Sequence, residues 1–129
     1  MFYLKVRKNF SAAHRVTLPD GSVENVHGHN WSFEASIGAE ALDRFGMVAD
    51  FLQVESVMEE TVVKKLDHTF LNETGFFPKD AATCELVAKW IYDALSPALK
   101  TLRNDLTLER VTLWESPGCS VSYAGSNQK

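Results

Sequence analysis

From His27 to Ile37 the chain alternates, and this alternation limits its fold more than any other stretch does. Trp31, Phe33, Ala35 and Ile37 are apolar and share the parity of His27 and His29. Side chains two apart in a strand point to one face, so the segment reads as a half-buried strand with two imidazoles on its core-facing side. Imidazole nitrogens left there without partners would cost about 1–3 kcal/mol each. A metal ion gripped by both would satisfy them. A third ligand must then come from His14 or His68, the other two of the chain's 4 histidines.

Residues 2–14 alternate as well, with Phe2, Leu4, Val6 and Phe10 on one face and Tyr3, Lys5, Arg7 and Asn9 on the other. This is an antiparallel strand ending in Ser11-Ala12-Ala13-His14, whose small side chains leave room around His14. If it pairs with the strand that carries His29, His14 becomes the third ligand. Three neutral imidazoles leave a fourth zinc position open for water or substrate, which is the pattern of a catalytic site. Three unrelated histidines are the plain alternative.

A polar loop with a turn at Pro19-Asp20-Gly21-Ser22 joins the two strands. Asp50 with Gln53 forms a capping-box pattern, and Phe51, Val54, Met58, Val62 and Leu66 are the apolar stripe of a first helix. That helix runs into Leu66-Asp67-His68-Thr69-Phe70-Leu71-Asn72-Glu73. A second helix starts near Thr83 with Glu85 in its first turn, and its stripe is Leu86, Val87, Trp90, Ile91, Ala94 and Leu95. Pro97 predicts a stop at Ser96, with a short turn over 98–102. Leu108–Trp114 and Ser120–Tyr123 are closing strands around the turn Ser116-Pro117-Gly118.

Strand, strand, helix, helix, strand, strand is an α+β order: a four-stranded antiparallel sheet with two helices on one face. Such a sheet has two open edges, which homo-oligomers relieve by pairing sheets across subunits. A single domain is expected over residues 1–125, with 126–129 as a tail. A net charge of −4 and no run of Lys and Arg argue against a nucleic-acid surface. Nothing approaches the roughly 20 apolar residues of a membrane span, and the expected setting is the cytoplasm. Cys84 and Cys119 form no CxxC and read as ordinary thiols. The expected partner is a small molecule or a second copy of the chain.

Two further groups suit chemistry. In Asp67-His68 a carboxylate beside an imidazole can serve as a proton shuttle near neutral pH. Glu115, in a strand otherwise fit for burial, can accept two parallel N–H bonds from a guanidine-like edge such as that of a pterin. A solvated pair and a solvent-facing carboxylate are the respective plain readings.

FSAAH at 10–14, HGHNW at 27–31, GMVADF at 46–51, LDHTFLN at 66–72, Thr83 with Glu85, and WESP at 114–117 together resemble the 6-pyruvoyl-tetrahydropterin synthase family. That family includes the 6-carboxy-tetrahydropterin synthases. The resemblance runs through nearly the whole chain and implies the tunnelling fold, in which the sheets of three subunits close a barrel. Trimers stack into hexamers, and active sites lie between subunits. It implies Zn2+ on His14, His27 and His29, and Glu115 as the anchor of the pterin ring. Asp67 and His68 are implied as the acid–base pair, and Thr83 and Glu85 as support for the pterin pocket.

One position departs from the pattern. Where the pyruvoyl and carboxy synthases carry a cysteine base four residues before the first histidine of HGH, this chain has Val23. Glu24 stands one residue later and makes an ExxHGH pattern. This resembles the branch in which glutamate replaces the cysteine and the product is 6-hydroxymethyl-7,8-dihydropterin for folate synthesis. A carboxylate with pKa about 4.3 is already ionised at neutral pH, whereas a thiol near 8.5 is not. The expected reaction is a zinc-dependent lyase reaction, retro-aldol cleavage of 7,8-dihydroneopterin triphosphate or dihydroneopterin, with Glu24, Asp67 and His68 catalytic. The alternatives are a pyruvoyl or carboxy synthase, and a zinc- and pterin-binding protein without turnover.

Overall fold

A computed structural model describes residues 1–126. The tail expected at 126–129 lies, apart from Ser126, outside the described residues. Strands β1 (Phe2–His14) and β2 (His27–Ala39) pair antiparallel along their whole length, from Phe2 against Ala39 to His14 against His27. β4 (Thr107–Ser116) pairs with the other side of β2, and β5 (Cys119–Tyr123) hairpins onto β4. The sheet has five strands instead of the expected four. A two-residue β3 (Thr69–Phe70) lies parallel to β1 at Ala12 and Ala13, giving the order β3-β1-β2-β4-β5.

The alternation in β2 does what its parity requires: Trp31, Phe33, Ala35 and Ile37 are fully buried. Leu4, Val6, Phe10, Val111 and Leu113 join them on one face of the sheet, beneath the helices. Phe2, placed on that face by its parity, is exposed at the strand's end. The opposite face is mostly polar and carries Arg7, Ser32, Glu34 and Thr112, with the Arg7 guanidinium 3.9 Å over the ring of Trp114.

The first helical rod consists of α1 (Phe51–Met58), a π-helical stretch at Glu59–Val63, and α2 (Lys64–Leu66). Asp50 caps it by accepting from the Leu52 amide. Its fully buried residues Val54, Met58, Val62 and Leu66 recur every fourth position, with Val63 buried beside them. A stripe of period four drifts about 120° over three repeats around a helix of 3.6 residues per turn. The wider π turn takes up part of that drift and keeps the stripe on the sheet. Phe51, expected in the stripe, is exposed at the rod's start.

α3 (Cys84–Leu99) begins at the Thr83 cap, whose Oγ accepts from the Leu86 amide at 3.2 Å. It runs through Pro97 without the expected stop. An interior proline costs about 3 kcal/mol. Full burial of Leu95 and near-complete burial of Leu99 offset this, at about 1.5–3 kcal/mol each. Leu86 points outward, so the buried stripe is Cys84, Val87, Ala88, Ile91, Leu95 and Leu99. No helix among the described residues is long and apolar enough to cross a membrane.

Candidate metal centre

The ends of β1 and β2 come together where His14 faces His27, and the strand parity adds His29. Ring centroids lie 4.7 Å apart for His14–His27, 5.3 Å for His14–His29 and 4.9 Å for His27–His29. Trp31, whose indole N–H donates to the Ala12 carbonyl, closes the core side of the group at 4.8 Å from His14. Glu115 arrives from β4 on the parity of Val111 and Leu113. One donor atom from each of His14, His27, His29 and Glu115 lies within 4.8 Å of all the others.

Two backbone carbonyls orient the imidazoles. His14 Nδ1 lies 2.8 Å from the Ala82 carbonyl and His27 Nδ1 lies 2.9 Å from the Asn25 carbonyl. A carbonyl only accepts, so each Nδ1 carries a proton, and in the neutral ring each Nε2 keeps a lone pair. The Glu115 carboxylate then stands 3.2 Å from His14 Nε2 and 2.9 Å from His29 Nε2. A lone pair facing a carboxylate oxygen at that distance repels it unless a proton or a cation lies between them. His29 Nε2 is buried and makes no hydrogen bond, because its approach to Glu115 is close but poorly aligned. An orphaned buried nitrogen beside two oriented lone pairs and a carboxylate fits a divalent metal of the zinc type, which takes imidazole and carboxylate donors.

The other expected residues lie outside this donor group. Glu24 is clamped to Val16: its amide donates to the Val16 carbonyl, and its Oε1 accepts from the Val16 amide, both at 3.0 Å. Asp67 Oδ1 accepts from the Ser11 amide at 2.9 Å, and the His68 amide donates to the Ser11 carbonyl at 2.6 Å. This clamp holds His68 in the left-handed region at φ 58°, a conformation that costs a residue with a Cβ about 1–2 kcal/mol. Its side chain is 83% exposed, with Nδ1 3.8 Å from Asp67 Oδ2. Asp67 and His68 border a surface hollow with Ser11 and Asn30.

Thr83 stands next to the carbonyl that orients His14, while Glu85 is exposed in the first turn of α3. The placement of Glu115 against two imidazoles, and the two orienting carbonyls, were not foreseen in the sequence. The strand parity of Val111, Leu113 and Glu115 was the available signal for the first. The carbonyls depend on loop paths and left none.

Neither cysteine joins the group. Cys84 is buried, and burial, with the nearby Glu115 charge second, pushes its thiol up to about 12. Cys119 is exposed at the start of β5.

A family profile described as 6-pyruvoyl tetrahydropterin synthase matches residues 3–126. A dihydroneopterin monophosphate aldolase of Pyrococcus furiosus is 38% identical over 109 residues, which cover 84% of this chain and 85% of that protein. A 6-carboxy-5,6,7,8-tetrahydropterin synthase of Bacillus subtilis is 34% identical over 127 residues, covering 95% of this chain and 84% of the relative. The solved 6-pyruvoyl tetrahydropterin synthase of Caenorhabditis elegans superposes with a TM-score of 0.77 at 27% identity, over 97% of this chain and 96% of that one. The sheet with its two helical rods is thus the tunnelling fold that the motifs implied. With its fold and nearly all of its length matched in this way, the chain belongs to the 6-pyruvoyl tetrahydropterin synthase family.

Proposed function

We propose that this enzyme is a zinc-dependent lyase of pterin metabolism that cleaves the side chain of a 7,8-dihydroneopterin phosphate, or of dihydroneopterin, to give 6-hydroxymethyl-7,8-dihydropterin. The observation that carries this choice of reaction is the lack of a thiol at the family's base position. Val23 stands at the family's cysteine position, and the Cys84 thiol is pushed far above neutral pH. Glu24 is the ionisable group nearest in sequence to that position, and the 38% identity to an aldolase supports the same direction.

His14, His27 and His29 would hold the zinc. Bound there, it would supply Lewis acidity toward the side-chain hydroxyls and the developing carbonyl. Glu115, beside the three imidazoles, accepts from the guanidine-like edge of the ring and sets its register. Glu24 takes the proton of the C2′ hydroxyl. The C1′–C2′ bond breaks, its electron pair passes into the ring C=N bond conjugated with C1′, and the C2′–C3′ fragment leaves as an aldehyde. His68, supported by Asp67, returns a proton to C1′.

Asp67 and His68 sit outside their own chain's donor group, so they would serve the centre of a neighbouring copy in a trimer or hexamer. The outer edge of β1, open except at Ala12 and Ala13 where β3 covers it, and the outer edge of β5 would pair to build that assembly. Thr83 and Glu85 would flank the pterin pocket, and the setting would be cytoplasmic.

The test is to incubate zinc-loaded protein with dihydroneopterin, its monophosphate and its triphosphate and to identify the products. Release of 6-hydroxymethyl-7,8-dihydropterin with a two-carbon aldehyde, lost in Glu24→Ala, is the expected result. A pyruvoyl or carboxy product would overturn it, and tight pterin binding without turnover would point to a binding protein.

A further inference from the structure

Three polar side chains are buried among the described residues: His14, Ser36 and Asn72. Ser36 donates to Glu109 within the sheet, away from the donor group. Asn72 ends the LDHTFLN motif, and nothing in the proposed chemistry uses it. It sits in the 3-10 turn Leu71–Glu73 that follows β3. Its amide spans two segments: Oδ1 accepts from the Arg15 amide at 2.9 Å, while Nδ2 donates to the Arg15 carbonyl at 2.9 Å and to the Lys79 carbonyl at 2.6 Å. One acceptor and two donors are used together, a combination that neither aspartate nor an aliphatic side chain supplies.

The two joined segments are those that orient His14. Arg15 follows it directly, and Lys79 opens the run to Ala82, whose carbonyl accepts from His14 Nδ1. Beyond Asn72 the contact continues as a Val16–Ala81 bridge and a 2.8 Å bond from the Thr17 amide to the Asp80 carbonyl. The same stretch holds Glu24, through its two bonds to Val16.

We propose that Asn72 is a positioning residue of the metal centre, fixing His14 and the carbonyl that selects its tautomer in one geometry. It touches neither metal nor substrate. The proposal rests on reading His14 as a ligand. Without the amide bridge, the 79–82 segment and the end of β1 stay joined, apart from the His14 bond itself, only by the exposed or half-buried Val16–Ala81, Thr17–Asp80 and Arg15–Asp80 contacts, and the Nδ1–H tautomer of His14 loses part of its preference.

The test compares Asn72→Ala and Asn72→Asp with Leu99→Ala, a cavity variant at the far end of α3 that lowers stability for a reason unrelated to the centre. Metal-free proteins are titrated with Zn2+ against a chromophoric chelator, and the His14 tautomer is read from imidazole 15N shifts before zinc is added. Both Asn72 variants are expected to bind zinc about 10–100-fold more weakly and to show mixed tautomers. Leu99→Ala, at a comparable melting temperature, is expected to stay within about twofold of wild type.

Folded Asn72 variants with wild-type affinity and tautomer overturn the proposal, as does an equal loss in Leu99→Ala. Asn72→Asp keeps the shape of the side chain and serves if the alanine variant does not fold. If wild-type protein takes up no zinc, the metal reading fails, and the tautomer shift still decides the role of Asn72.

Discussion

The donor group of His14, His27, His29 and Glu115 and the Asp67–His68 pair lie on the same end of β1, yet the fold treats them oppositely. The first sits at the edge of the core, with His14 buried and the other three half-buried, backed by Trp31 and oriented by two carbonyls. The second is clamped to Ser11 through the Asp67 carboxylate and the His68 amide, and His68 turns its ring out to solvent from a strained φ. Rigid placement of ligands suits a centre that must be formed before substrate arrives. An outward imidazole held in strain suits a group whose working partner lies outside its own chain.

The sharpest way to break this comparison is to remove one imidazole from each region. His29→Ala is expected to weaken zinc binding at least about 100-fold, more than the loss of an outer-shell partner does, and to abolish turnover. His68→Gln is expected to leave zinc affinity at the wild-type level while kcat falls about 10²–10⁴-fold. Equal zinc loss in both, measured by chelator competition, would mean that the regions are not separate.

Glu115→Gln then sharpens the inner region by asking whether this carboxylate is a ligand or a ring anchor. As an anchor it is expected to raise KM about 10–100-fold, the value of a hydrogen bond to a charged group, with zinc affinity nearly unchanged. A parallel fall in zinc affinity would make it the fourth ligand.

Much of the inner region could be read in the sequence. Parity alone put His27 and His29 with Trp31 and Phe33, and His14 was expected as the third ligand if its strand paired with theirs, which it does with His14 opposite His27. The outer region was legible as residues but not as a place. Nothing in Asp67-His68 announces a left-handed backbone or a parallel two-residue strand, because both are set by Ser11, more than fifty positions away. The proline rule failed at Pro97 because burial on both sides outweighed it. Asn72 was visible in its motif, but its role depends on three backbone atoms from distant segments.

Strain at His68 allows a smaller test of the outer region. Glycine adopts positive φ freely. His68→Gly is therefore expected to raise stability by about 1 kcal/mol while removing activity. A thermal melt checks it, and a lower melting temperature would show that the His68 ring contributes packing that its exposure conceals.

The smallest effect belongs to the two thiols, which repeat the contrast. Cys84 lies at the inner region, next to Thr83 and within the field of Glu115, and its thiol is raised from 9.0 to about 12. Cys119 lies exposed at the outer turn. A thiol-directed alkylating agent at pH 8 is expected to modify Cys119 alone in the folded protein and both residues after denaturation. The same shift fixes a sign. The folded state holds the Cys84 proton while the unfolded chain releases it near pH 9.0, so the unfolded state binds fewer protons above that pH. The contribution of Cys84 is complete below 9.0 and is lost as pH rises toward about 12. Melting temperature measured across that window is expected to fall more steeply in wild type than in Cys84→Ala. Equal slopes would place the Cys84 thiol in contact with water, and the inner region would then be more open than its packing indicates.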